Sequence, residues 1–378
     1  MTPQIIALYL PQFHPIPENN EWWGPGFTEW TNVAKARPLF KGHYQPRIPA
    51  DLGFYDLRLA ETREAQALLA KEAGISAFCY YHYWFSGRQI LERPLNEVVA
   101  SGKPDFPFCM CWANHTWSSA TWDRGGKASK ILLEQTYSEE DDINHFNALL
   151  PMFKDHRYYK IDGRLVFVIY DVWRFKRVSE FIRVWRNLAK ENGLPGFYFI
   201  GMTSSTLTID FETGNRCMPD LKSSAKLFQK VLDMGFDAVN SCGNRRGEML
   251  AKGKYSSIIN RVLGLMHLKI GQNTYDYAKT VHGFFAPEDA WENVFPTIMP
   301  QFDRTAREAT KEGIYVNATP EKFSKHIKEA IDIVKNKKPE NQVIFLKAWN
   351  EWAEGNYVEP DQRYGHGWLE AIKQNIKQ

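Results

Sequence analysis

Two glutamates, Glu351 and Glu354, stand three residues apart in the stretch AWNEWAEGNYVEPD, directly after the apolar run VIFLKAW. On a helical turn that spacing sets their Cβ atoms about 5–6 Å apart. Cleaving a glycosidic bond takes two carboxyl groups, about 5–5.5 Å apart for retention and roughly 6.5–9.5 Å for inversion. One protonates the departing oxygen, and the other supplies electrons or removes a proton. Close carboxyl groups resist double ionisation, so one keeps its proton and the two roles separate. Glu-x-x-Glu also occurs on solvated helices. Its place after a buried run, among Trp349, Asn350 and Trp352, favours the catalytic reading.

Something must hold that pair at a cleft. Eight short apolar runs recur, at 5–10, 75–85, 106–114, 165–171, 197–202, 236–241, 296–303 and 343–352. Continuous apolar strands suit a parallel sheet buried on both faces. Amphipathic helical patterns lie between them. One ends at Gly74; another starts at Ser138 with acids in its first turn; a third starts at Thr319-Pro320. Strands alternating with helices predict an α/β fold, a (β/α)8 TIM barrel with long βα loops, spanning 1–378 as one catalytic domain. A doubly wound sheet is the alternative, but no Gly-x-Gly-x-x-Gly follows the first run. Residues 11–56 read as a long functional loop and 241–281 as an insertion.

Barrel active sites lie at the C-terminal ends of the strands. Those ends carry Gln12 and His14; His82 and Trp84; Trp112, Asn114, His115 and Trp117; Asp171; and Asp303. With Trp23, Glu29 and Trp30 from the first loop and the tryptophans beside the glutamates, they describe an aromatic, polar sugar pocket. Each has a structural alternative. His82 on an apolar strand could be a satisfied core histidine, Asp171 a helix cap, Asn114 a loop brace, Asp303 an ion-pair partner of its neighbouring arginines, and Glu29 a solvated loop residue.

Composition narrows the partner. A net charge of +3 predicts neither nucleic acid nor an acidic membrane surface. Thirteen Trp, 17 Tyr and 24 Phe supply the flat faces on which sugars stack, so an oligosaccharide or polysaccharide is the expected ligand. Five cysteines, an odd number set mostly in apolar runs, suit free thiols in a reducing compartment. No leader pattern and no membrane-length apolar run is evident, so a cytoplasmic location without a membrane span is expected. The chemistry runs on carboxylates, and neither a metal nor a cofactor is expected.

The segments YLPQFHPIPENNEWWGPGFTEWTNVAKARPLFKGHYQPRIPADLGFYDLR, GKPDFPFCMCWANHTW and KAWNEWAEGNYVEPDQRYGHGWLEA resemble WbsX-like proteins of polysaccharide loci, often labelled glycosyltransferases. That group is similar to glycoside hydrolase family 99, the endo-α-mannosidases with a (β/α)8 barrel. The resemblance implies a base acting on the sugar 2-hydroxyl at Glu351 and a general acid/base at Glu354, with retention through an epoxide-like intermediate. Ala353 stands where the mannosidases usually carry His, which weakens the case for an α-mannoside. A retaining hydrolase or transglycosylase is therefore expected. A transferase for O-antigen, capsule or lipopolysaccharide is the alternative, although no Asp-x-Asp or phosphate loop appears. A non-catalytic glycan-binding barrel is the third reading.

Overall fold

A computed structural model describes residues 2–119, 130–252, 274–307 and 313–376. Eight parallel strands form its centre: β1 (Gln4–Tyr9), β2 (Ala77–Phe85), β3 (Phe108–Trp112), β4 (Arg164–Ile169), β5 (Phe197–Ser204), β6 (Ala238–Cys242), β7 (Val294–Ile298) and β8 (Val343–Leu346). Each pairs with the next, from Ile6 opposite Ala77 to Thr297 opposite Phe345. Gln4 opposite Val343 then joins β8 to β1 and closes the barrel. All eight arise from the apolar runs. Residues 5–9 and 343–346 are buried throughout, because barrel interior and helix layer cover both faces of a strand.

The surrounding helices include α1 (Ala60–Ala73), α2 (Arg93–Ser101), α3 (Glu139–Phe153), α4 (Val178–Glu191), α5 (Ala225–Asp233), α6 (Pro320–Val334) and α7 (Gly367–Ile376). Their boundaries follow local chemistry. Ser138 accepts a hydrogen bond from the Asp141 amide at the start of α3, and Thr319 does the same for Lys322 at α6. α1 ends at Gly74, whose φ of +87° suits the left-handed turn. Between strands and helices lies an aromatic layer in which Trp185 packs on Phe167 and Phe181.

Residues 11–56 carry two short helices, Pro17–Trp23 and Glu29–Lys35, and lie beside the β8 end of the barrel. Pro49 bridges to Asp361, and the Ala50 amide donates to the Pro360 carbonyl. Of the expected insertion at 241–281, residues 253–273 lie outside the described residues; after them Thr274–Asp276 pairs in parallel with Ile314–Val316. No helix among the described residues is long and apolar enough to cross a membrane.

Candidate active site

Beyond β8 the chain turns sharply. Asn350–Glu351 pairs antiparallel with Asn356–Tyr357, and Trp352–Glu354 forms a single 3-10 turn between them. In a 3-10 turn, side chains three apart eclipse one another, so Glu351 and Glu354 rise together from one wall. Three ties fix this turn. The Asn350 side chain accepts from the Leu10 amide at 2.7 Å and donates to the Leu10 carbonyl at 3.0 Å, fastening the end of β8 to that of β1. Trp352 stacks on Tyr357 with ring centroids 3.7 Å apart and donates its indole N–H to Glu359 at 2.6 Å. Gly355 closes the turn at φ +54°, and a Cβ there would meet Arg47 Nε at 2.7 Å.

A second 3-10 turn, Arg304–Ala306, follows β7 and faces the first. Asp303 caps it, accepting from the Thr305 amide at 3.1 Å and the Thr305 hydroxyl at 2.6 Å. The Asp303 amide donates to the Glu354 carbonyl at 2.6 Å, locking the turns together. Arg304 and Arg307, again three apart, thereby confront the two glutamates. Arg307 donates to Glu354, and its Nη1 lies 3.8 Å from Glu351 Oε2. Arg304 Nε lies 3.3 Å from Glu354 Oε1. Behind Arg307 sits Glu29, wholly buried, which accepts from Arg307 Nε at 3.0 Å and from Nη2.

The guanidinium groups crowd Glu354 more closely than Glu351, and that asymmetry sets the protonation of the pair. Burial, then the negative field of Glu354, pushes the Glu351 carboxyl up. Burial also acts on Glu354, but Arg307 and Arg304 outweigh it and hold that carboxyl below the usual range. The two groups are within hydrogen-bonding reach of each other. In the free site these charges favour a proton on Glu351 and an ionised Glu354, the opposite of the assignment that the family resemblance implies for the reaction.

The pair opens into a cavity of about 310 Å³. Gln12, His115 and Trp117 line it as expected from their strand ends, together with Tyr81, Tyr83, Tyr170, Asn244, Phe302, Arg304, Arg307 and Lys347. Trp117 stands edge-on to Tyr83 at 5.1 Å, and His115 tilts over Tyr170 at 5.6 Å, forming an aromatic wall. Such surfaces suit the apolar faces of a sugar ring, with the carboxyl, guanidinium and amide groups left for its hydroxyls.

The other expected site residues do not line this cavity. His82, Trp84 and Trp112 face outward. His82 Nε2 lies 2.7 Å from His145 Nε2 on α3, Trp84 stacks on His145 at 4.8 Å, and Trp112 packs on Phe175 and Phe181. Burial pushes His82 down to about 3. The reason is parity: side chains alternate along a strand, and inward Tyr81 and Tyr83 leave 82 and 84 in the helix layer. Asn114 braces β3 to β4, donating to the Asp171 carbonyl and accepting from its amide. Asp171 accepts from the Trp173 and Arg174 amides and pairs with Arg174. Asp303 holds His43 at 2.8 Å and Gln45 at 2.9 Å besides capping its turn. Glu29 acts behind Arg307. His14 is buried against the Pro11 carbonyl, Trp23 contacts Phe27, Trp30 packs on Trp352 and Tyr55, and Trp349 packs on Phe78. These residues shape the loops and the β8 turn.

Among the described residues no group of three or more His, Cys, Asp or Glu could hold a metal ion. Cys79, Cys109, Cys111 and Cys242 are buried free thiols, and Cys217 is exposed.

Residues 5–372 match the family model described as Glycosyltransferase WbsX. Two curated relatives, each an uncharacterized protein WxcX from a strain of Xanthomonas campestris pv. campestris, are 33% identical over 373 residues. The match covers 98% of this chain and 49% of each relative, so the chain spans about half their length. Among solved structures, a glycoside hydrolase-like protein superposes with a TM-score of 0.60 at 14% identity, covering 99% of this chain and 94% of that one. The GH99 endo-alpha-mannosidase from Bacteroides thetaiotaomicron superposes at 0.54 and 14%, covering 99% and 96%. At those identities the likeness is one of fold.

Proposed function

The chain belongs to the WbsX glycosyltransferase family, and from that premise we propose that it breaks glycosidic bonds with retention, as a hydrolase or transglycosylase, through Glu351 and Glu354. The observation that carries this reading is the pair of carboxyl groups on a single wall of the aromatic cavity, with both guanidinium groups set against Glu354. Two carboxyl groups on one turn reach two neighbouring oxygens of the same sugar more readily than opposite faces of its ring. The 2-hydroxyl and the glycosidic oxygen are such neighbours.

In this reading the ionised carboxylate takes the 2-hydroxyl proton as that oxygen attacks C1. The bond from C1 to the leaving oxygen breaks, and the protonated carboxyl gives that oxygen its proton. Water, or a second sugar hydroxyl, then adds to C1 of the epoxide-like intermediate. Its proton goes to the carboxyl that served as acid, and the 2-oxygen recovers its own from the base. Two inversions give net retention. The charges around the free pair favour Glu351 as proton donor and Glu354 as base.

A transferase using a phosphorylated donor is the second reading. Three cations in the cavity, Lys347, Arg304 and Arg307, favour it, because they could receive a departing phosphate without a metal. The test is a screen of aryl and oligosaccharide glycosides beside nucleotide-sugars, with Glu351→Gln and Glu354→Gln as controls and NMR of the first-formed anomer. Cleavage that survives both substitutions sinks the assignment. Turnover confined to nucleotide-sugars selects the transferase.

A further inference from the structure

Lys347 follows β8 directly, and its amide donates to the Ile298 carbonyl at 3.0 Å. Its partly buried side chain lines the cavity beside Tyr170 and the glutamate pair. The other two cations are engaged: Arg304 and Arg307 pair with Glu354, and Arg307 with Glu29. Lys347 forms no ion pair within 4.0 Å among the described residues. Burial works against its charge, but Tyr170, Cys242 and the two glutamates outweigh that and raise its pKa above the ordinary lysine value. The Lys347 ammonium thus stays charged at the barrel mouth with no carboxylate in contact with it, an arrangement that a packing role would not call for.

We infer that the sugar unit held against Lys347 carries an anionic group, a carboxylate on the ring or a phosphate on the anomeric oxygen, and that Lys347 determines that specificity. The inference rests on the reading that this cavity is the glycan site. The competing role is electrostatic only: Lys347 would tune the glutamate pair and treat acidic and neutral sugars alike.

The experiment measures binding by calorimetry in three matched sets: glucuronate, galacturonate and mannuronate; glucose, galactose and mannose; and the 1-phosphates of those three. At least one acidic sugar should bind ten times more tightly than its neutral counterpart, and Lys347→Met should cut that ratio about ten- to a hundredfold, as for loss of a charge-assisted hydrogen bond. Lys347→Arg should keep most of the ratio. Lys347→Met should melt close to the parent, since it breaks no ion pair within 4.0 Å among the described residues. A preference confined to uronates identifies the ring carboxylate; one confined to 1-phosphates identifies the donor phosphate. No acidic preference, a preference that survives Lys347→Met, or a large drop in melting temperature overturns the inference. Glutamate-dependent cleavage of neutral glycosides without acidic preference would sink it and leave the proposed reaction standing. A Lys347-dependent preference without any glycoside cleavage would do the reverse.

Discussion

Replacing Arg304 by Gln removes one of the two cations that keep Glu354 ionised, and its effect should appear in the acid limb of the pH profile. Arg304 Nε lies 3.3 Å from Glu354 Oε1. At that distance two unit charges interact by about 5 kcal/mol at an effective dielectric of about 20, and by about 1.3 kcal/mol in bulk water. The Arg304 side chain is 20% exposed and borders an open cavity, so water screens it partly. A loss of about 1.5–3 kcal/mol is the working figure, which is about 1–2 pH units.

The direction follows from the pair. Glu354 is the carboxyl held below its usual range, so the base is present above that pKa and lost as pH falls through it. Without Arg304 the pKa rises, and kcat/KM on an activated aryl glycoside should begin to fall about 1–2 pH units higher. Carbon-13 NMR of carboxyl-labelled glutamate follows the same ionisation without turnover. An acid limb that moves by less than about 0.3 unit, or moves down, refutes the electrostatic account of the pair.

Glu351→Gln and Glu354→Gln should each reduce kcat/KM on unactivated glycosides by about 10²–10⁴. The charge asymmetry makes Glu351→Gln the variant that a nitrophenyl leaving group rescues; rescue of Glu354→Gln instead would mean that the proton crosses to Glu354 when substrate binds. Glu29→Gln should cost about 3–5 kcal/mol in urea unfolding, because it leaves Arg307 poorly compensated behind the site; a loss below about 1 kcal/mol would contradict a buried ion pair. Glu359 is buried and pushed up to about 7 although Trp352, Gln66 and Tyr55 donate to it. The native state thus holds a proton that the unfolded chain releases near pH 4.3, so Glu359 should make stability fall as pH rises from about 4.3 to 7, by up to about 1.4 kcal/mol per unit. Glu359→Gln should lack that slope, and equal slopes in chemical denaturation would count against the assignment.

The barrel was legible because each buried strand is a continuous apolar run, and the helix ends at Gly74, Ser138 and Thr319 carry their own signals. Which face of a strand meets the cavity was harder to read. A run such as AFCYYHYWF is buried on both sides, so its polar residues do not mark the inward face. The pattern places His82 and Trp84 at the cavity, whereas Tyr81 and Tyr83 line it and His82 and Trp84 lie in the helix layer. β2 pairs with β1 and β3 in fixed register, with Tyr9 opposite Tyr80 and His82 opposite Trp112, so their outward sets align.

The cations were hidden for a different reason. Arg304 and Arg307 in DRTAR suggest no chemistry by themselves, because a surface turn with an acid and two arginines is ordinary. Their meaning arises from contacts across 278 positions of sequence to Glu29 and 47 to Glu354. The long first loop thus has an electrostatic task. Glu29 anchors Arg307 from behind, and Arg307 reaches past it to Glu354, so a carboxylate outside the cavity holds a cation that faces the glutamate pair. If that chain of contacts operates, Glu29→Gln should move the acid limb in the opposite direction to Arg304→Gln. An Arg307 freed from Glu29 has more of its charge to give Glu354, which lowers that pKa further. Opposite shifts from two substitutions on either side of one carboxylate are something a general loosening of the fold would not produce.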